Sequence, residues 1–380
     1  MDSDISLGSN GLTLTLDGQE AYFNACWLRD ACTSCIDRQT RERIFDASSL
    51  PDLPHVTRAW IEGDSLRIAW RDEAAVGTVP LDLLRHVAAH GRPHDPAHLP
   101  RTIWMADFEP RITRVSQHDM LHDEVARAQF CRAMITDGIA IVTDMEPGKP
   151  SLTALVETMG HITPSAEGFF FEVRVEIAPT NLAFTAGALE MHTDLPGEEA
   201  APGLQFLHCL ENTVEGGLSL FLDGAAVAEA LRAEDPEAFD LLATHSIPFF
   251  YRHDRLDYRA HQRVIELDQQ GRVTGVTISQ HLLDTMDLPQ HLLDSYYPAF
   301  IKFIRMMQED RFVMRFRSQA GNCVVFDNHR IVHGREGYIA ESGRRHLRGC
   351  YMDRGALRST YRVLAKRGFD GIAAPALETA

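Results

Sequence analysis

Met191-His192-Thr193-Asp194, running into the turn Leu195-Pro196-Gly197, is the stretch on which the reading of this chain depends. It reads as the end of a strand, and on an extended backbone residues two apart project to the same side, so His192 and Asp194 can face one metal ion. Far downstream, Phe326-Asp327-Asn328-His329-Arg330-Ile331-Val332-His333-Gly334 places His333 after another apolar strand. Two imidazoles and one carboxylate on one face form the triad that leaves coordination positions open on Fe(II). His-x-Asp alone carries little weight in a chain with 18 histidines. A histidine beside a carboxylate is more often a surface pair than a ligand set, so context must decide.

Composition narrows that context. The chain has 380 residues, enough for a main domain and a smaller one, with 44% hydrophobic and 24% charged residues, ordinary for a globular protein. A formal charge of −17 argues against nucleic acid as a partner, because phosphate binding draws on clustered Lys and Arg. No run approaches the ~18 apolar residues of a membrane span, and the N-terminus lacks a secretory layout, so a soluble, cytoplasmic protein is expected. The seven cysteines are odd in number and mostly scattered, unlike a disulfide framework. Only Cys32 and Cys35 stand close enough to suggest a metal clip.

Residues 10 to about 100 read as short strands (12–16, 21–27, 65–70 and 77–81) closed by a helix over 81–90, and the punctuation Gly91-Arg92-Pro93 and His98-Leu99-Pro100 reads as a linker. A small N-terminal β-rich domain over 1–100 and a catalytic domain over 101–380 are expected. In the second, Leu121, Val125, Ala128, Cys131 and Ile135 recur at helical spacing up to Gly138, and 139–142 is a buried strand. Strands crowd residues 169–224, a helix covers 288–308, and strands return at 312–316 and 323–326. Many short strands broken in this way predict a mainly β fold, a barrel or jelly roll with flanking helices.

Two further features strengthen the metal reading. Gly216-Gly217-Leu218-Ser219 ends 27 residues after His192, and Arg345 stands 12 residues after His333. A dicarboxylate needs such an anchor, a guanidinium pairing bidentately with a carboxylate and helped by a hydroxyl. Arg344 is adjacent and competes for the role. His208, within Leu207-His208-Cys209-Leu210, reads as a hydrogen-bonded core histidine, and His329 as a turn residue without special duty.

With these residues in view, the chain resembles the taurine dioxygenase superfamily, and within it the γ-butyrobetaine hydroxylase and trimethyllysine hydroxylase branch. The resemblance runs from Trp27-Leu28-Arg29-Asp30 to Tyr351 and is densest over 181–194, 202–209, 216–224, 326–334 and Arg345-His346-Leu347. It implies a double-stranded β-helix in which His192, Asp194 and His333 hold Fe(II), while Arg345 and Ser219 hold the cosubstrate 2-oxoglutarate. It also implies O2 and a small cationic or zwitterionic molecule as reaction partners, and a homodimer is expected. Asn181 is a candidate contact to substrate or cosubstrate.

The chain departs from that family twice. The family's N-terminal zinc clip has three cysteines and a histidine, whereas Cys32-Thr33-Ser34-Cys35 is one cysteine short and the histidine position falls at Ala74. Cys26 could substitute for one ligand, but four are the rule for structural zinc, so an occupied site is not expected. The family's aromatic cage for a trimethylammonium group aligns with Glu167, Phe171, Phe184 and Tyr351, one of them a carboxylate. For Phe171 and Phe184 taken singly, core packing is an equal alternative. An Asn-rich segment that contacts the substrate acid is replaced by Ser279-Gln280-His281. The expected activity is hydroxylation of a small (trimethyl)ammonium acid such as γ-butyrobetaine. The alternatives are a trimethylammonio phosphonate, an amino acid or another compact amine. A cupin-like binding protein is the rival outside catalysis, and the triad with Arg345 argues against it.

Overall fold

A computed structural model describes residues 5–50, 52–71, 76–175, 183 and 185–369. The chain divides into two compact units on either side of the Asp95–Pro96 junction. In the first, strands Ile5–Gly8, Gly11–Leu16 and Gln19–Asn24 form one antiparallel sheet, and Val56–Glu62, Ser65–Trp70 and Val76–Pro80 form another. Leu12, Leu14, Leu66 and Ile68 alternate inward to build its core. The strand expected over 21–27 stops at Asn24, because the Asn24 side chain accepts from the backbone N–H groups of Cys26 and Trp27 and starts the helix Ala25–Ala31. The helix Leu81–His90 ends on Gly91, which takes the left-handed conformation at φ 71°.

The second unit is mainly β with flanking helices. Its larger sheet runs in the order Phe171–Val173, Arg345–Met352, Leu204–Asn212, Cys323–Asp327, Ile139–Thr143 and Thr113–Ser116, antiparallel except for the last pair. A second sheet has the order Leu189–His192, Ile331–Arg335, Ser219–Asp223 and Met314–Phe316, antiparallel throughout. Phe221, Met314 and Ile331 from the second sheet pack with Ile139, Ile141, Val324 and Phe326 from the first, so apolar faces of both are buried against each other. Each buried Phe in this layer contributes about 1.5–3 kcal/mol. The outer face of the larger sheet, with Leu204, Phe206, Cys350 and Met352, is covered by residues of the helices Glu124–Thr136 and Arg354–Lys366.

One expected helix is in fact two. The spacing that links Leu121 to Ile135 is interrupted at Asp123, which ends Gln117–His122 and caps Glu124–Thr136 by accepting from the N–H groups of Val125 and Ala126. A buried ion pair ties two adjacent strands of the second sheet at one end. Arg330 Nε and Nη2 donate to Asp223 Oδ1 at 3.0 Å and Oδ2 at 2.7 Å, and the guanidinium also reaches the carbonyls of Thr136 and Thr102.

Candidate active site

Sheet register assembles the first cluster. His192 closes its strand directly opposite His333, and the two rings lie 4.3 Å apart between centroids. Asp194 lies beyond the strand end. Its backbone N–H donates to Asn328 Oδ1 at 2.7 Å, and Asn328 Nδ2 donates to the carbonyls of Asp194 and Pro202, each at 3.0 Å. That clamp, with Leu195 at φ 51°, turns the carboxylate back toward the imidazoles. Asp194 Oδ1 is 3.2 Å from His192 Nε2 and 3.7 Å from His333 Nε2, and Oδ2 accepts from the Tyr351 hydroxyl at 2.7 Å. The strand geometry expected for His-x-Asp therefore holds only at His192, and Asn328 supplies the rest.

The electrostatics suit a cation. His192 Nδ1 sits 2.7 Å from the Glu190 carbonyl, which makes Nδ1 the donor and leaves the Nε2 lone pair toward Asp194. Burial pushes His333 down to about 3, so its ring is neutral and offers a lone pair. Burial opposes the Asp194 charge too, but the Tyr351 hydroxyl donates to Oδ2 and supports it, and the carboxyl lies below the usual range. The donor atoms of His192, Asp194 and His333 lie within 4.8 Å of one another, a set that fits a divalent transition metal.

Two buried arginines with different duties line the same cavity. Arg335 donates to the carbonyls of Ala183, Thr185 and Gly187 and so holds the segment beside the cavity. Arg345 leaves Nε and Nη1 without a partner, and burial together with the nearby Arg335 pushes it down to about 10, still charged at neutral pH. A buried guanidinium with unpaired N–H groups calls for an anion, because a desolvated charge left unpaired costs several kcal/mol. Ser219 also lines the cavity, its Oγ 2.9 Å from that of Ser318, and Leu207, Phe221 and Leu347 form apolar wall between. Arg344 precedes the strand that begins at Arg345, is exposed, and does not line the cavity.

The third side of the cavity carries Glu167, Phe171, Tyr351, Leu195, Leu282 and His281. Phe171 stacks on Tyr351 at 5.1 Å, and Glu167 Oε1 accepts a hydrogen bond from the Tyr251 hydroxyl. His281 packs edge-on against His192 at 5.0 Å. Asn181 and Phe184 lie outside the described residues. The structure adds Gln205, Asn328, Tyr251 and Glu198 to the site and its supports. Gln205 carries a readable signal, a polar residue in an apolar strand, and it lines the cavity at 1% exposure with Oε1 unpaired. Nothing local marks Tyr251, which arrives from a separate hairpin.

One expectation elsewhere meets a different outcome. His208 is fully buried but neither ring nitrogen has a partner, so it is not a hydrogen-bonded core histidine. It shares the helix-covered face of its strand with Leu204 and Phe206, and its cross-strand neighbour Arg348 directs Nε to Glu172. In the first unit, Arg29 Nη1 donates to Cys35 Sγ at 2.9 Å and its guanidinium lies 4.0 Å from the Phe45 ring centroid. A cation already on that sulfur repels a metal ion. Among the described residues no third donor joins Cys32 and Cys35 in a compact group, and Ala74 lies outside them, so these residues do not fit structural zinc.

Two imidazoles and a carboxylate on a β scaffold, facing an unpaired buried arginine across an apolar cavity, define the class of mononuclear non-haem iron oxygenases that take an anionic cosubstrate. Residues 98–351 match the model of the taurine catabolism dioxygenase TauD, TfdA family. The chain is 33% identical to a γ-butyrobetaine dioxygenase of Pseudomonas sp. strain AK-1 over 94% of each chain. It is 27% identical to the human γ-butyrobetaine dioxygenase over 94% of this chain and 95% of that one. It is 26% identical to the mitochondrial trimethyllysine dioxygenase of Gallus gallus over 90% of this chain and 83% of that one. A crystal structure of a putative α-ketoglutarate-dependent 2,4-D dioxygenase from Burkholderia xenovorans shares the fold, with a TM-score of 0.50 and 15% identity over 66% of this chain and 98% of that one. The chain belongs to the TauD/TfdA dioxygenase family, in its γ-butyrobetaine and trimethyllysine dioxygenase branch, and is an Fe(II)- and 2-oxoglutarate-dependent dioxygenase. A pure binding role is thereby excluded.

Proposed function

We propose that the enzyme hydroxylates a C–H bond of a small zwitterion, an ammonium at one end and an acid at the other, as in γ-butyrobetaine. The observation that carries this is the cavity's arrangement: the triad at one end, the unpaired Arg345 beyond it, and Glu167 with Phe171 and Tyr351 at the third side. The names of the relatives support an ammonium-bearing substrate. The order of the two sheets supports a double-stranded β-helix as the catalytic fold. In this reading residues 1–100 form an accessory domain and 101–380 the catalytic one.

His192, Asp194 and His333 would hold Fe(II), which with 2-oxoglutarate and O2 supplies the oxidising power. The protein's own contribution is positioning. Arg345 takes the distal carboxylate of 2-oxoglutarate as a bidentate pair, with Ser219 beside it. Tyr351 fixes Asp194 Oδ2 by its hydroxyl while its ring, stacked with Phe171, faces the substrate cation. His281 lines the cavity beside His192, in the segment that aligns with the family's contact to the substrate acid. Leu207, Phe221 and Leu347 keep bulk water from the reacting carbon.

Succinate release from 2-oxoglutarate, measured with Fe(II) and γ-butyrobetaine and related zwitterions, tests the reading. Release stimulated by such a zwitterion is expected. Stimulation only by molecules without a cationic nitrogen would refute the substrate class.

A further inference from the structure

The cage side of the cavity is built for hydrogen bonding as well as for charge. Gly168, at φ 91°, closes a turn in which Ser165 and Gly168 exchange backbone hydrogen bonds. Glu198 Oε1 accepts from the Ala166 N–H at 2.7 Å and holds that turn against the cavity wall. Glu167 is thereby presented to the cavity, and Tyr251 occupies its Oε1, leaving Oε2 as acceptor. No basic side chain among the described residues pairs with Glu167 or Glu198; burial raises Glu198, the Ala166 N–H works against that, and the nearby Glu167 charge adds to the rise.

A second acceptor lines the same cavity independently. Gln205 is 1% exposed, stands beside Tyr351 in sheet register, and leaves Oε1 unpaired. A quaternary ammonium needs only ring faces, offers no N–H, and would leave both acceptors desolvated and unsatisfied. Sites built to hydrogen-bond a donor discriminate strongly against an analogue that lacks it.

We propose that the substrate nitrogen of this enzyme carries at least one N–H, an amine-derived ammonium read by Glu167 and Gln205, in place of a fully methylated one. This rests on the zwitterion reading above and specifies its cationic end.

The test uses full-length enzyme loaded with Fe(II) and 2-oxoglutarate under anaerobic conditions. Binding of 4-aminobutyrate, 4-(methylamino)butyrate, 4-(dimethylamino)butyrate and γ-butyrobetaine is measured by calorimetry. At least one N–H-bearing member should bind roughly ten-fold or more tighter than γ-butyrobetaine, about the worth of one charged hydrogen bond. Glu167→Gln and Gln205→Leu should each shrink that ratio, and a ratio unchanged in both variants would overturn the assignment of the two acceptors. Should γ-butyrobetaine bind as tightly as its amine analogues or tighter, this inference is overturned while the zwitterion reading stands. Binding by none of the four overturns both. The wild-type series decides the main question whether or not a variant folds.

Discussion

Asn328 is 1% exposed and does not line the cavity, yet it holds three backbone groups: the N–H and the carbonyl of Asp194 and the carbonyl of Pro202. Asn328→Ala leaves all three buried groups unpaired. At about 1 kcal/mol for each lost hydrogen bond, the loss is roughly 3 kcal/mol of stability. For a unit of this size that lowers the melting temperature by about 6 °C. The more specific effect falls on the metal, because Asp194 is aimed at the imidazoles by this clamp and not by its strand. Groups that orient a ligand are worth about 10–100-fold in metal affinity, so the apparent Fe(II) constant should rise by that factor. Fe(II) titration under anaerobic conditions with 2-oxoglutarate present, beside a thermal melt, reads both quantities. A variant with wild-type iron affinity and an unchanged melt would show that the Asp194 geometry is set without Asn328.

Replacing Arg345 by Ala should raise the 2-oxoglutarate KM by about two orders of magnitude or more, from the ~3–5 kcal/mol cost of breaking a buried charge pair, with little change in the substrate KM; a defect confined to Arg344→Ala would transfer the role. His192→Ala and His333→Ala should each abolish succinate formation at saturating Fe(II) while circular dichroism stays that of the parent, and substantial residual succinate would refute the triad. Asp223→Ala, which strands the Arg330 charge at 1% exposure, should destabilise the catalytic unit by about 3–5 kcal/mol in chemical denaturation, and a loss under ~1 kcal/mol would contradict the buried-pair account. Burial, with Arg348 nearby, pushes His208 down to about 4 from 6.5, so between those values the unfolded chain binds the extra proton and stability falls as pH drops. Melts from about pH 7 to 4.5 should show a shallower decline in His208→Leu, the difference reaching at most ~1.4 kcal/mol per pH unit, and parallel declines would refute it.

The amino-acid sequence carries the chemistry. Metal-ligand residue types are few, their pattern in His192-Thr193-Asp194 and His333 is local to strand ends, and an arginine on a strand after the distal histidine is readable by position alone. It also predicted the mainly β class and most strands, because inward alternation is a property of neighbouring residues. What it missed locally were caps: Asn24 and Asp123 end elements by taking backbone N–H groups that periodicity cannot register. The tertiary structure decided the rest. Only sheet register sets His192 opposite His333, and only the return of 327–330 brings the Asn328 clamp onto Asp194. Only packing shows that Arg335 is committed to backbone carbonyls while Arg345 is free for an anion, and that Tyr251 comes from a distant hairpin to orient Glu167. Side-chain pairing between residues far apart in the chain depends on which strands lie side by side, and no local pattern encodes that.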